Sequence, residues 1–498
     1  MQEKIKQYKA RLARLHAYSH ALGVMSYDRE TVMPKGAVDD FADTVTLLSE
    51  ELYKMQTDPA LRQLLSDLSA ASDQLDPITK REVEEHLRSV ARIECIPLEE
   101  YLDYQRVQSR AVSVWQEAKH NSDFASFAPY LEKLVDYTRR FALLYAPDKD
   151  PYETLLDQYE KDLTKATLDD FFDRLRAAFR PLIKKTSAAR DRIDDAFLGR
   201  AYPIDAQRKL SEEIMRVMGL DRTYCVIGEV EHPFTTHFNK HDVRITTHYY
   251  EDAVASSFYS VVHEGGHALY ELHTGDDLIG SPLAEGVSMG IHESQSRLYE
   301  NVIGRSFGFV SRIFPTMKEL FPTQLSSVTA ADFWRAVNKS VPSLIRTEAD
   351  ELTYPFHVMI RYQLEKRLIA GTLSVSDLPA EWNRLYREEL GVEVPDDAHG
   401  VLQDSHWSGG AFGYFPSYAV GSAYASQFVA AMRGAFDFDA AVAAGDLAPV
   451  NRWLEEHVWR YGSLRDPARL ILDACGEPFD PRFYIDYITS KINEIYGF

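Results

Sequence analysis

Cysteine is almost missing from this chain. Cys95, Cys225 and Cys475 are the only three in 498 residues. They are far apart, odd in number and form no C-x-x-C pair, which argues against a disulfide framework and against a zinc site built from thiolates. Long apolar runs are missing too, since none approaches the roughly 20 residues that cross a bilayer. The first residues, "MQEKIKQYKARLARLHAY", are charged throughout and lack the apolar core of a signal peptide. No Gly/Ser-rich linker and no fixed-period repeat interrupts the chain. Positive charge is in short supply: 55 Lys and Arg against 76 Asp and Glu leave a formal net charge of −21. That surface disfavours an electrostatic nucleic-acid binder. The expectation is a cytoplasmic protein with neither nucleic acid nor membrane as partner.

What is present is ordinary globular material, 45% hydrophobic and 26% charged. Length alone would allow two or three domains. Residues 1 to about 220 read as successive helices. Leu12, Leu15, Tyr18 and Leu22 form one apolar stripe at three- and four-residue steps, and "YLEKLVDYTRRFALLY" and "LDDFFDRLRAAFRPLIKKT" behave alike. Such stripes are core, and no chemistry is assigned to them. The exception is Tyr224–Tyr250, rich in β-branched and aromatic residues, which predicts two or three short antiparallel strands with a turn at "FNKHD". Helices resume near Ala253. The fold class is therefore mostly α, with one small antiparallel sheet beside the helix that follows it.

That helix carries "VVHEGGHALYELH". His263 and His267 lie four apart, so both imidazoles can meet one ion, while Glu264 sits about 100° round, within reach of a water on that ion. Two nitrogen donors and a base are what a catalytic zinc site requires, with a third ligand and an open position. Two surface histidines on an ordinary helix are the competing reading. A third ligand should come from a later helix, "EGVSMGIHESQSRLYENVIG", which places Met289, Glu293, Ser296 or Arg297, and Glu300 along one side. His292 and Glu293 are adjacent, so one of them can face the ion. Glu293 is preferred, because a carboxylate on a following helix is a well-attested third ligand. Gly265 and Gly266 each cost a helix about 1 kcal/mol relative to alanine. Either a substrate strand or a facing backbone approaches the helix there, or helices pack tightly against it.

Six segments occur in the order found in one known family: "HPF" (His232–Phe234), "DVRIT" (Asp242–Thr246), "HEGGH" (His263–His267), "HESQ" (His292–Gln295), "IRTEAD" (Ile345–Asp350) and "GVLQDSHW" (Gly400–Trp407). With "SYDRETVMPKGA" near the start, where Tyr27 stands in place of an expected tryptophan, the chain resembles the metallocarboxypeptidases of the carboxypeptidase Taq type over nearly its whole length. The resemblance implies one catalytic domain over 1–498, with two helical lobes flanking a deep groove as in neurolysin and angiotensin-converting enzyme. It implies a cytoplasmic homodimer that removes C-terminal residues from peptides. It also implies one divalent ion, Zn2+ by default and Co2+ as an alternative, held by His263, His267 and Glu293, with Glu264 as general base.

Peptide hydrolysis also needs a donor for the oxyanion. His406 with Tyr418, twelve residues on, resembles the oxyanion pair of neurolysin-like enzymes, and Tyr414 is the reserve. An exopeptidase must bind a free carboxylate, for which arginine is suited. Arg346 is the first choice and Arg244 the second, although Asp242, on the same strand face, offers Arg244 a salt bridge instead. His232, held extended by Pro233, is a candidate cleft residue. Asp350 and Asp404 are candidates to orient the metal-binding imidazoles. Two other functions fit these residues: an oligopeptidase or dipeptidyl carboxypeptidase, and a helical scaffold around a structural ion.

Overall fold

The structure is a computed structural model that describes residues 1–498. It contains twenty α-helices and one three-stranded sheet. Asp–Pro pairs start several helices, because aspartate can cap free N–H groups while proline at the first position needs none. Asp58 accepts from Ala60 N, Asp76 from Thr79 N, and Asp150 from Tyr152 N and Glu153 N. Each cap is worth about 1 kcal/mol.

The first four helices are α1 (Gln2–Thr31), α2 (Val38–Gln56), α3 (Pro59–Ser69) and α4 (Pro77–Glu94). α1, α3 and α4 share a satellite core of eight buried residues, from Tyr8 and Leu12 on α1 to Val83 and Val90 on α4, while α2 buries none of its residues. In the stripe predicted for α1, Leu12 is buried, while Leu15, Tyr18 and Leu22 are half-buried. The second core is continuous, with 104 buried residues between Val107 and Tyr496. A cavity of about 720 Å3 opens between the two, lined by α1 and α4 on one side and by the sheet and residues 279–287 on the other.

The sheet consists of β1 (Cys225–Glu229), β2 (Thr235–Asn239) and β3 (Asp242–Thr247), in the order β1-β3-β2. Its position matches the sequence reading, but one pairing does not. β2 and β3 form the expected antiparallel hairpin, with Thr235 opposite Ile245. β1 instead runs parallel to β3, with Cys225 opposite Val243. The cause lies in the connection: residues 230–234 turn the chain and carry it past the place beside β1. β3 then fills that place after a second reversal, and two reversals restore the original direction. Val243 and Ile245 point to the core on alternate positions.

The helix Val254–Leu272 lies beneath this sheet, with fourteen of its residues buried, and carries His263, Glu264 and His267. The following helix, Met289–Arg297, is capped by Ser288, whose side chain accepts from Ile291 N, and passes directly into a π-helical stretch at Leu298–Gly304. The long helix Pro416–Ala435 covers it. The paired glycines now have their reason. A methyl on Gly266 would lie 2.6 Å from Gln295 O and 2.8 Å from Ser296 Cα, the backbone of the facing helix. On Gly265 it would meet Met218 Cε at 2.7 Å. Tight packing accounts for both, against a facing backbone at Gly266 and against the Met218 and Leu220 side chains at Gly265.

Candidate metal centre

His263, His267 and Glu293 come together with their nearest donor atoms within 4.8 Å of one another. Glu293 Oε2 lies 3.5 Å from His267 Nε2 and 3.8 Å from His263 Nε2. Both imidazoles therefore turn Nε2 inward, and what sets that choice is visible behind them. His263 Nδ1–H donates to Glu300 Oε2 at 2.8 Å. His267 Nδ1 lies 2.6 Å from His292 Nδ1, and His292 Nε2–H donates to Glu271 Oε1 at 2.6 Å. With the His292 Nε2 proton given to Glu271, its Nδ1 accepts from His267, which leaves His267 Nε2 bare for a cation.

These orienting groups are not the ones expected. Asp350 accepts from Val341 N, Leu352 N and Thr353. Asp404 accepts from Arg346 and Arg361. Neither reaches an imidazole. Glu300 and the His292–Glu271 pair occupy that place, and both had a signal in the chain. Residues 293, 297 and 300 are spaced four and three apart, and residues 263, 267 and 271 four and four, each making one stripe on a helix face.

Glu264 is buried beside the cluster and accepts from the Thr235 hydroxyl at 2.6 Å. Burial pushes its carboxyl up, and Glu293 and Glu300 add to this while His263 and Thr235 oppose it. Glu293 and Glu300 behave oppositely. Burial works to raise them, yet Arg297 with His263 and His267 holds Glu293 far below the usual carboxylate range, and His263, Arg297 and Arg305 do the same for Glu300. His267 is lowered to about 4, chiefly by burial. Arg297 and Arg305 pair with Glu293 and Glu300, whereas the buried Glu264 and Glu271 have no guanidinium partner and accept from Thr235 and His292. Buried carboxylates therefore outnumber guanidiniums around the site, an excess that a divalent cation would offset. Two imidazole nitrogens and one carboxylate oxygen are also the donor set of an open, catalytic zinc-type site, so the residues fit such an ion.

The loop after residue 404 brings a second cluster to the same region. A methyl on Gly421 would lie 2.8 Å from Glu293 Cβ, so the helix Pro416–Ala435 rests against the stem of that side chain. Tyr418 is one turn earlier on it. Its hydroxyl is 3.1 Å from His406 Nε2, and Tyr414 packs edge-on against Tyr418 at 5.1 Å. His406 Nδ1 is buried without a partner. A bare nitrogen there costs less than an orphaned N–H, which places the His406 proton on Nε2 and directs it to the tyrosine oxygen. The Tyr418 O–H is then free to donate elsewhere. Burial lowers His406 to about 4 and pushes Tyr418 well up, so both stay uncharged near neutrality.

Arg346 is buried beside this pair, 4.9 Å from the Tyr418 ring. Its Nε and Nη2 donate to Asp404 Oδ1, and Nη1 donates to Tyr354. Arg244 is spoken for: Asp242 grips it with both oxygens at 2.8 Å, and it lies 4.8 Å from each of the Tyr27 and Phe238 rings. The salt-bridge reading of that arginine is what the structure contains. His232 is exposed on the connection between β1 and β2 and is not brought to the cluster. Thr235 and Arg297 escaped the sequence reading as contributors; for Thr235 no local pattern pointed to Glu264, because the contact depends on the sheet crossing over the helix.

Known proteins match this chain from end to end. The model of the carboxypeptidase Taq (M32) metallopeptidases matches residues 7–492. The chain is 39% identical to carboxypeptidase 1 of Bacillus subtilis, over 99% of this chain and 98% of that one. It is 36% identical to thermostable carboxypeptidase 1 of Thermus thermophilus, over 97% of each. The crystal structure of an M32 carboxypeptidase from Deinococcus radiodurans has a TM-score of 0.96 to it at 35% identity, covering 100% of both chains.

Proposed function

Since the chain belongs to the carboxypeptidase Taq (M32) metallopeptidase family, and is thus a metal-dependent carboxypeptidase acting on peptides, we propose that His263, His267 and Glu293 hold its divalent ion and that Glu264 is its general base. The observation that carries this reading is the cluster itself: three donors with an unpaired, buried carboxylate next to them. When bound, the ion supplies Lewis acidity that polarises the scissile carbonyl and makes a water more acidic. Zinc is the proposed ion, and cobalt suits the same donors.

The chain's own residues supply the rest. Glu264, held by Thr235, takes a proton from the attacking water and returns it to the leaving amine; its raised pKa suits a group that must both accept and release that proton. Tyr418, oriented by His406, donates to the oxyanion. Tyr414 lines the same wall. Arg346 has five N–H donors, three of them engaged, and offers the other two to the substrate's terminal carboxylate. His232 and Arg244 have no proposed role in binding. The chain acts as a single catalytic unit over 1–498, with its two cores on either side of the cavity. A homodimer and a cytoplasmic location are carried as proposals from the family resemblance, to be checked by light scattering and by cell fractionation. No helix is long and apolar enough to cross a membrane.

The test is mass spectrometry of a mixed peptide pool over time, with metal analysis of the same sample. Ladders should shorten one residue at a time from the C-terminal end, with one ion per chain. A matched pool with amidated C-termini should be cut far more slowly. Internal cuts, or equal rates on the amides, would refute the carboxylate role of Arg346.

A further inference from the structure

The two oxygens of Glu293 meet different surroundings. Oε2 faces the imidazoles and has one further neighbour, the Ser296 hydroxyl at 3.1 Å, which lies closer to the Glu293 carbonyl oxygen at 2.8 Å. Oε1 accepts from Arg297 Nε at 2.7 Å. The same guanidinium places Nη1 3.4 Å from Glu300 Oε2, the oxygen that receives the His263 proton. One arginine thus touches the carboxylate in the cluster and also the carboxylate that orients an imidazole. The four-residue spacing sets Arg297 over Glu293, and the π-helical stretch that starts at Leu298 brings Glu300 to the same guanidinium. The guanidinium is itself confined. It stacks 4.5 Å from the Tyr354 ring, and its side chain is 15% exposed. From the far side Arg305 donates to Glu300 Oε1 at 3.1 Å, so Glu300 is held from two directions.

We propose that Arg297 is a positioning residue that restricts Glu293 to one ligating oxygen and so sets the metal preference of the site. The inference rests on the ligand assignment given under the proposed function. A carboxylate with both oxygens free can bind a cation through both, which suits larger ions that collect six or more oxygens. With Oε1 tied to a guanidinium, Glu293 offers a single donor beside two imidazoles, the set that suits a four-coordinate ion. The fork matters as well as the charge: Nε serves Glu293 while Nη1 serves Glu300, and one ammonium cannot reproduce that geometry.

The experiment strips full-length wild type, Arg297→Met, Arg297→Lys and Glu293→Gln with a chelator and adds Co2+ alone. The visible spectrum reports coordination, because four-coordinate cobalt lacks a centre of symmetry and absorbs strongly. Competition dialysis then measures Zn2+ against Mn2+. Wild type should show the strong band. Arg297→Met should lose much of it, and its preference for Zn2+ over Mn2+ should fall by about ten-fold. Arg297→Lys should fall between the two, and it carries the test if the methionine variant does not fold. A wild-type spectrum and preference in the folded variants would overturn the proposal and leave the ligand assignment standing. No strong band in wild type, or unchanged cobalt binding in Glu293→Gln, would overturn the ligand assignment and the proposal together.

Discussion

On the His263 side of the site, each atom behind the three cluster residues has a protein partner: Glu300 for His263, His292 for His267, and Arg297 for Glu293. On the facing His406 side the bonds are incomplete. His406 Nδ1 and Ser417 Oγ are buried without partners, and Arg346 has donors to spare. The first wall is complete immediately around the three donors; one layer further out Glu271 Oε2 is buried without a hydrogen bond, 3.3 Å from His237 Nε2. The second keeps hydrogen-bonding capacity in reserve for a ligand that arrives and leaves. This division has a catalytic logic, because an interaction already satisfied in the resting protein cannot strengthen in the transition state, whereas an unused donor can.

The sharpest way to break the comparison is to separate holding the ion from using it. Glu264→Gln should retain metal, since its partner Thr235 and the three cluster residues are untouched. Turnover should nevertheless fall by about a hundred- to ten-thousand-fold, the range for a lost general base. Metal content and kcat measured on one preparation check this, and turnover near the wild-type rate would remove Glu264 from the mechanism. On the other wall, Tyr418→Phe should lower kcat by about a hundred-fold or more with KM little changed, because an oxyanion donor acts after binding. Tyr414→Phe should lose less. If the two variants ranked the other way, the oxyanion donor would be Tyr414.

The two walls also differed in how much the sequence disclosed. Donors on one helix were legible because the α-helical repeat fixes their relative placement: His263 with His267, and Glu293 on the next helix, follow from spacing and donor chemistry. The same repeat holds Glu300 and Glu271 in plain view, yet only Asp350 and Asp404 are named from the sequence as candidates to orient the imidazoles. Nothing in one dimension tells which of several carboxylates a long loop brings near an imidazole. The antiparallel reading of the sheet failed for a related reason. Alternation identifies strands, but pairing partners depend on where a five-residue connection sends the chain, and β1 gives no local sign that β3 will take the neighbouring place. For Arg244 the sequence offers two readings, a carboxylate-binding residue and a salt bridge with Asp242 two residues away on the same strand face, and the structure contains the salt bridge.

A smaller effect follows from pH. Burial, opposed by Asp404 and assisted by Arg346 and Arg361, lowers His406 to about 4, against about 6.5 in an unfolded chain. Between those values the unfolded state binds a proton that the folded state refuses. Stability contributed by His406 is therefore fully present above the unfolded value and is lost as pH falls toward the folded one. Denaturant midpoints of chelator-treated wild type and His406→Gln at about pH 7 and about pH 5 isolate this contribution. Wild type should lose on the order of 2 kcal/mol more than the variant over that step. Equal losses would mean that His406 is solvated, and the free Tyr418 proton would lose its justification.

The smallest effects test how rigid each wall is, using one methyl group on each. On the metal side, Gly266→Ala places Cβ 2.6 Å from Gln295 O and 2.8 Å from Ser296 Cα. Those are backbone atoms of the helix that carries Glu293, so relief requires that helix to shift. Overpacking of this kind costs about 1–3 kcal/mol, and the roughly 1 kcal/mol gained in helix propensity offsets only part of it. On the substrate side, Gly409→Ala meets only His406 O at 3.5 Å, an ordinary contact, in the loop that carries His406. There the methyl should be neutral or should stabilise by up to about 1 kcal/mol, because it narrows the unfolded ensemble. Thermal midpoints give the ordering, and Co2+ spectra show whether the lost stability in Gly266→Ala reaches Glu293. If Gly266→Ala proves as well tolerated as Gly409→Ala, the Glu293 helix can yield, and the metal wall is no more rigid than the loop it faces.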